Sequence, residues 1–335
     1  MRVMYLVNKF LANVLRKGVK QHYSMEDISS VLLTAAYRRS TVNSVSRSPD
    51  PDTVFIRLKD IDLDRLASIV MDTAPRIKGK VMIAIDGHDE MFYGDEDVDM
   101  VIGTGEKAGS YRAFKYLAVK LIRGEEAYFV YLQPMSNGSV VDAAISSLEK
   151  LGRKYDIDTV LMDGEFFSSR LLNHFDGKWI HFVCRRRSLK RLRDVPYEKP
   201  VKTRMRGKSR KDRPDTVEVE YYLYRYHGRG GKDFFLASDM KKDAEELRKL
   251  FKKRWGIETG FREVNRLKIR TISRDWRIRL LFYAISMWLY NQWLSVRGYG
   301  MTRLDSFRML IVREIDKALF RLKVVFKYLF YRGAI

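Results

Sequence analysis

Hydrophobic positions along the chain fall into three regimes. Residues 1–77 carry helical spacing: Ser24 stands where it can cap a helix whose Ile28, Val31, Leu32 and Ala35 share one face. The polar run Ser40, Thr41, Val42, Asn43, Ser44 interrupts that pattern before a second short segment. From Lys80 the period shortens. Residues 80–86 (KVMIAID) and 159–163 (TVLMD) are continuous apolar runs, the pattern of strands buried on both faces. Residues 111–122 and 127–132, split by Arg123, Gly124, Glu125 and Glu126, predict an antiparallel pair. Helices are predicted over 140–155 and 168–175 and a further strand over 179–185, so the order is strand, strand, strand, helix, strand, helix, strand.

Residues 188–236 interrupt this alternation. A basic stretch nearly free of large aliphatics precedes strand-like segments at 217–226 and 234–237, which flank a Gly228, Arg229, Gly230, Gly231 turn. The pattern is that of a β-rich insertion. After Ser238 one long helix is predicted through Arg254 and Glu258, weakened by about 1 kcal/mol at each of Gly256 and Gly260. Two helices finish the chain. The first holds the most apolar run, 280–294, which is shorter than the roughly 20 residues that cross a bilayer. It also carries Asn291 and Gln292, and so reads as a buried helix. The second places Leu304, Phe307, Ile311 and Ile315 at three- and four-residue steps. The reading is an α/β protein in three parts: a helical region 1–77, a core 78–275 with its insertion at 188–236, and a helical region 276–335.

Composition narrows the class. Hydrophobic residues make up 46% of the 335, which excludes a disordered or fibrous chain. The single cysteine, Cys184, allows neither an intramolecular disulfide nor a cysteine metal cluster. The first residues lack the order of a signal peptide, so a cytoplasmic protein is expected. Charge is more informative: 64 Lys and Arg against 42 Asp and Glu leave +22. Residues 185–213 hold 14 basic and 3 acidic residues, and 266–335 hold 15 and 4, so those two segments carry the whole excess. A polyanion is the natural partner, because each neutralised phosphate releases condensed counterions. An anionic membrane surface is the rival for the last helix, while the absence of a long apolar span argues against a membrane protein. The N-terminal helix–break–helix fits either a small DNA-binding module or a packing domain.

Candidate chemistry lies in carboxylates. The strands ending Ile85-Asp86-Gly87 and Met162-Asp163-Gly164 place an acid at the end of an apolar run, which is costly unless a cation compensates it. Asp-Gly is also a common tight-turn pair, so each alone reads first as a turn. If the two strands are neighbours, both carboxylates emerge at one edge. A third acid is offered by Arg254, Glu258 and Arg262, which recur every four residues on one helical face or form an ordinary ion-pair ladder. The acids Asp89, Glu90, Asp95, Glu96, Asp97 and Asp99 read as loop solvation, with Glu165 the one best placed to support the site. Trp179 and Tyr197 are aromatics available to stack on an exposed base.

These residues resemble DDE transposases of prokaryotic insertion sequences. The points of likeness are the strand and helix order, an acid on the first and fourth strands, the β-rich insertion, and a helix with aromatic-x2-Arg-x3-Glu. The segment from Ala84 to Asp89, running on to Tyr93 and Gly94, is most similar to archaeal members. The resemblance implies a ribonuclease H-like core, with Asp86, Asp163 and Glu258 as the catalytic, metal-binding triad. It implies Arg254 as a contact to transposon-end phosphate. Phe251 stands where the signature has Tyr and Asn265 where it has Lys, so Lys268 or Arg262 would take that second contact. The implied cofactor is a pair of Mg²⁺ ions, with Mn²⁺ as substitute, cutting element ends and joining them to target DNA. The implied partners are duplex DNA and a second copy of the chain, at the nucleoid of a prokaryotic cell. Within the basic run, Arg204, Arg206, Lys208 and Arg210 are expected to track DNA. A ribonuclease H-like nuclease without strand transfer, and a non-catalytic nucleic-acid-binding protein, remain the alternatives.

Overall fold

The computed structural model describes residues 3–15, 23–46, 49–94, 97–135, 140–187, 192, 194–208, 216–228, 230, 232–297 and 303–331. It divides into two compact units, Met1–Thr73 with Arg262–Ile335, and Ala74–Phe261. The N- and C-terminal helical regions, separate in the sequence reading, belong to one unit. That unit begins with α1 (Val3–Val14), α2 (Met25–Arg38), α3 (Pro51–Leu58) and α4 (Leu63–Asp72). Ser24 caps α2 through a reciprocal capping box with Asp27, and Ile28, Val31, Leu32 and Ala35 are buried as their spacing predicts. Asp50 caps α3 by accepting from the Thr53 N–H, with Pro51 in the first turn.

The second unit is built on one nine-stranded sheet. Its elements are β1 (Lys80–Met91), β2 (Val101–Lys107), β3 (Ser110–Arg123), β4 (Glu126–Pro134), α5 (Val140–Gly152), β5 (Asp156–Met162), α6 (Ser169–Asp176) and β6 (His181–Arg186). They are followed by β7 (Val201–Lys208), β8 (Thr216–Tyr226), β9 (Phe234–Ser238), α7 (Ala244–Lys252) and α8 (Trp255–Arg266). The strand order is β2-β3-β1-β5-β6-β9-β8-β7, with β4 also on β3. One edge of β3 pairs with β1; the other takes β2 along its first half and β4 along its second. Strands β1, β5 and β6 are parallel, and β9 is antiparallel to β6.

Four features depart from the sequence reading. β1 continues past Asp86 to Met91, because Asp89 is paired with Lys107 and Glu90 accepts from the Tyr116 hydroxyl; these acids are strand residues, not loop solvation. β2 was not expected, since VIGTGEK lacks apolar alternation and takes its order from β3. The insertion strands extend the main sheet through β9, a pairing the sequence pattern did not predict, and β7 lies inside the basic stretch. The long helix is two helices, broken at Lys253 and Arg254, where Lys253, Arg254, Gly256 and Ile257 donate to carbonyls three residues back.

The chain returns to the first unit within α8, at Arg262, and ends with α9 (Trp276–Arg297) and α10 (Leu304–Tyr331). α9 is buried around almost its whole circumference, the mark of a core helix, and the Asn291 side chain donates to the Thr73 hydroxyl at 2.7 Å. α10 buries Leu304, Phe307, Ile311 and Ile315 and packs on α1 and α2. Among the described residues no helix is long and apolar enough to cross a membrane.

Candidate active site

The second unit brings the two strand aspartates together. Ile85 is registered with Met162, after which β5 ends, so Asp86, inside β1, and Asp163, just past the carboxyl end of β5, stand side by side where the parallel pairing stops. That end of an open α/β sheet is where ligand crevices form. β6 sets Cys184 beside Met162 and carries Arg185, Arg186 and Arg187 to the same edge. A cleft of about 470 Å³ results, lined among others by Asp86, Asp163, Glu165, Lys115, Arg185 and Arg187.

Asp86-Gly87 is not a turn. Both residues lie within β1, and the Gly87 N–H donates to the Asp86 carboxylate at 2.9 Å. A methyl group on Gly87 would meet the Glu165 carboxylate, the movable end of that side chain, so glycine leaves room for Glu165 beside Asp86. Glu165 is held there by Lys115 at 2.7 Å, a pair the sequence did not reveal because a lysine on β3 looks like a surface residue. The Asp163 carbonyl accepts from the Cys184 thiol at 3.3 Å. Burial, and secondarily Asp163, hold that thiol well above its ordinary pKa, so it stays neutral.

Arg254 ties the third acid to the first. Its guanidinium is only 4% exposed and donates from Nη1 to Asp86 at 3.0 Å and from Nη2 to Glu258 at 2.5 Å. The guanidinium carbon lies 5.4 Å from the centre of the buried Phe251 ring, and Nε is buried without a hydrogen-bond partner. Burial pushes the Asp86 carboxyl up to about 6; Arg254 and the Gly87 N–H oppose that rise, while Asp163 and Glu165 reinforce it. Glu258 is half exposed and turned onto Arg254. Among the described residues no three His, Cys, Asp or Glu side chains stand close enough to hold one metal ion as the site is folded. The donors nevertheless suit a hard divalent cation. They are carboxylate oxygens, one of them on a buried group whose pKa burial has raised, and partly neutralised already by a guanidinium.

The remaining expected contacts are scattered. Arg262 is exposed on α8, and Lys268 follows that helix in the other unit, 5.7 Å from the centre of the Tyr283 ring. Arg204 and Arg206 are exposed on β7 but paired across the hairpin, with Glu220 at 2.8 Å and Glu218 at 2.7 Å. Lys208 ends β7, and Arg210 lies outside the described residues. Tyr197 is not open for a base: it stacks on His227 at 3.7 Å, with the Arg225 guanidinium 4.1 Å from its ring centre. Trp179 is 91% exposed but precedes β6, at the end of that strand opposite Arg185. His88 packs its ring 5.1 Å from that of Phe261.

Residues 133–291 match a family described as Transposase DDE domain. That span includes Asp163 and Glu258 and begins after Asp86. Among solved structures, a cryo-EM structure of the piggyBac transposase synaptic complex with hairpin DNA superposes with a TM-score of 0.61 at 15% identity. The match covers 95% of this chain and 82% of that one. Curated protein sequences return no match. The chain therefore has a mixed α/β, ribonuclease H-like fold of the kind found in transposases, and a segment similar to the transposase DDE domain runs from residue 133 to residue 291.

Proposed function

We propose that the chain is a DNA transposase that cuts strands at the ends of its element and joins them to target DNA. The observation that carries this reading is the meeting of Asp86 and Asp163 at one sheet edge, with Glu258 linked to Asp86 through Arg254. Two divalent ions, Mg²⁺ or Mn²⁺, would be held by Asp86, Asp163 and Glu258 and would activate the attacking oxygen and stabilise the leaving one. Asp86 must give up its proton to serve, and Glu258 must leave Arg254. Arg254, so released, would offer its guanidinium to phosphate, with the Phe251 ring beside it. Arg185 and Arg187 offer further positive charge at the same edge. Water attacks first, and the 3′-hydroxyl it frees attacks target phosphate in a second in-line displacement. No protein nucleophile is needed, and the lone thiol, buried and neutral, is unsuited to be one. Two element ends have to be joined, so the working form is read as a homodimer on duplex DNA at a prokaryotic nucleoid. Arg262, Lys268 and the β7 cations would add backbone contacts.

The test is Mg²⁺-dependent cleavage of an element-end duplex. Asp163→Ala is expected to lower cleavage by at least about 100-fold while end binding is retained. Near wild-type cleavage by the folded variant would remove the triad. Nicks never followed by joining would identify a nuclease, and binding without metal-dependent cleavage would identify a non-catalytic DNA-binding protein.

A further inference from the structure

β3 holds a lysine where the sheet is otherwise apolar. Lys120 is fully buried between Val119 and Leu121 and is registered with Ala84 of β1. Its ammonium donates to the Gly256 carbonyl, in the first turn of α8, at 3.0 Å and lies 4.2 Å from the centre of the Phe129 ring. A methyl group added at Gly260 would collide with the lysine nitrogen, and one added at Gly256 would touch Ala127 at 3.4 Å. Gly260, one of the two glycines that weaken α8 as a helix, is therefore what leaves room for the Lys120 amine beneath it. Burial depresses the Lys120 pKa well below its ordinary value, and the amine donates a hydrogen bond in either protonation state. A buried amine is costly beside an apolar side chain of equal length, so core packing alone does not call for lysine here.

We propose that Lys120 is a positioning residue: by holding the Gly256 carbonyl it sets the rotation and depth of α8, and with them the places of Arg254 and Glu258 opposite Asp86. The inference rests on reading Glu258 as a metal-binding carboxylate. Its test compares the wild-type chain, Lys120→Met, Gly260→Ala and Asp163→Ala by thermal unfolding, Mn²⁺ titration followed by electron paramagnetic resonance, and hydrogen exchange of α8 amides. Lys120→Met keeps the length and removes the donor. It is expected to fold with an unchanged or higher Tm, to bind Mn²⁺ about 10-fold or more weakly, and to exchange α8 amides faster. Gly260→Ala keeps the lysine but blocks its seat, and the same loss of Mn²⁺ affinity is expected. Wild-type Mn²⁺ affinity in folded Lys120→Met overturns the positioning role and leaves the triad standing. Mn²⁺ affinity that Asp163→Ala does not change overturns the triad, and the positioning role with it. If Lys120→Met fails to fold, Gly260→Ala decides: weakened Mn²⁺ binding supports the role, and unchanged binding overturns it.

Discussion

Asp86 keeps its proton to about pH 6, against 3.8 for an exposed aspartate, chiefly because it is buried. The sign of the linkage follows: between those values the folded chain binds more proton than the unfolded one, so this group's contribution to stability falls as pH rises from about 4 to about 6 and then levels. The full effect is at most about 3 kcal/mol. In EDTA, the difference in unfolding midpoint between the wild-type chain and Asp86→Asn should therefore change between pH 4 and 6 and be flat above it; a constant difference would remove burial as the cause. At this scale Asp86 and Asp163 stood out as candidates because carboxylates ending apolar runs are chemically conspicuous, whereas Arg254 and Glu258 shared a helical face and took their proposed roles from the resemblance. Lys115, Glu165 and Lys120 were not, because a charged residue in a strand carries no mark of what will cover it.

The β7–β8 hairpin shows how an element alters the meaning of composition. Residues 185–213 look like a bare cationic track, yet Lys202, Arg204 and Arg206 face Glu218 and Glu220 across the hairpin. Arg206 and Lys202 are the main causes that draw Glu218 and Glu220, respectively, below the usual carboxylate range. Changing Glu218 and Glu220 together to Gln should free two arginines for phosphate and steepen the dependence of log Kd on log salt by about 2. The Arg204→Gln, Arg206→Gln pair alone should change that slope by less than about 1. A salt series on duplex DNA measures both, and a steeper loss for the arginine pair would show that the ladder opens on DNA. The acids of this ladder lie 12 to 18 residues from their partners, across the turn, which is why a segment count missed them.

Over the whole molecule, the N-terminal helices share one compact unit with the C-terminal ones. α10 packs on α1 and α2, α9 packs on α4, and the ring of Phe10 meets that of Trp288 at 5.6 Å, all within one unit whose halves are separated in sequence by the whole of Ala74–Phe261. A fragment of residues 1–77 should therefore lack cooperative unfolding when followed by circular dichroism, for want of the apolar faces that cover it. A stable, cooperatively melting fragment would contradict this.

Local patterning by itself determined most element types, the capped start of α2, the buried character of α9 and the identity of the strand-end acids. Each depends on periodicity or on the cost of a particular side chain within a few residues. Tertiary structure alone decided that Asp86 and Asp163 are neighbours, that the insertion continues the main sheet, and that Arg254 sits between Asp86 and Glu258 in the turn between two helices. It also decided that a lysine is buried beneath α8. Those outcomes follow from strand order and close approach, which depend on pairings across the chain and on glycines whose missing side chains make room for groups far away in sequence.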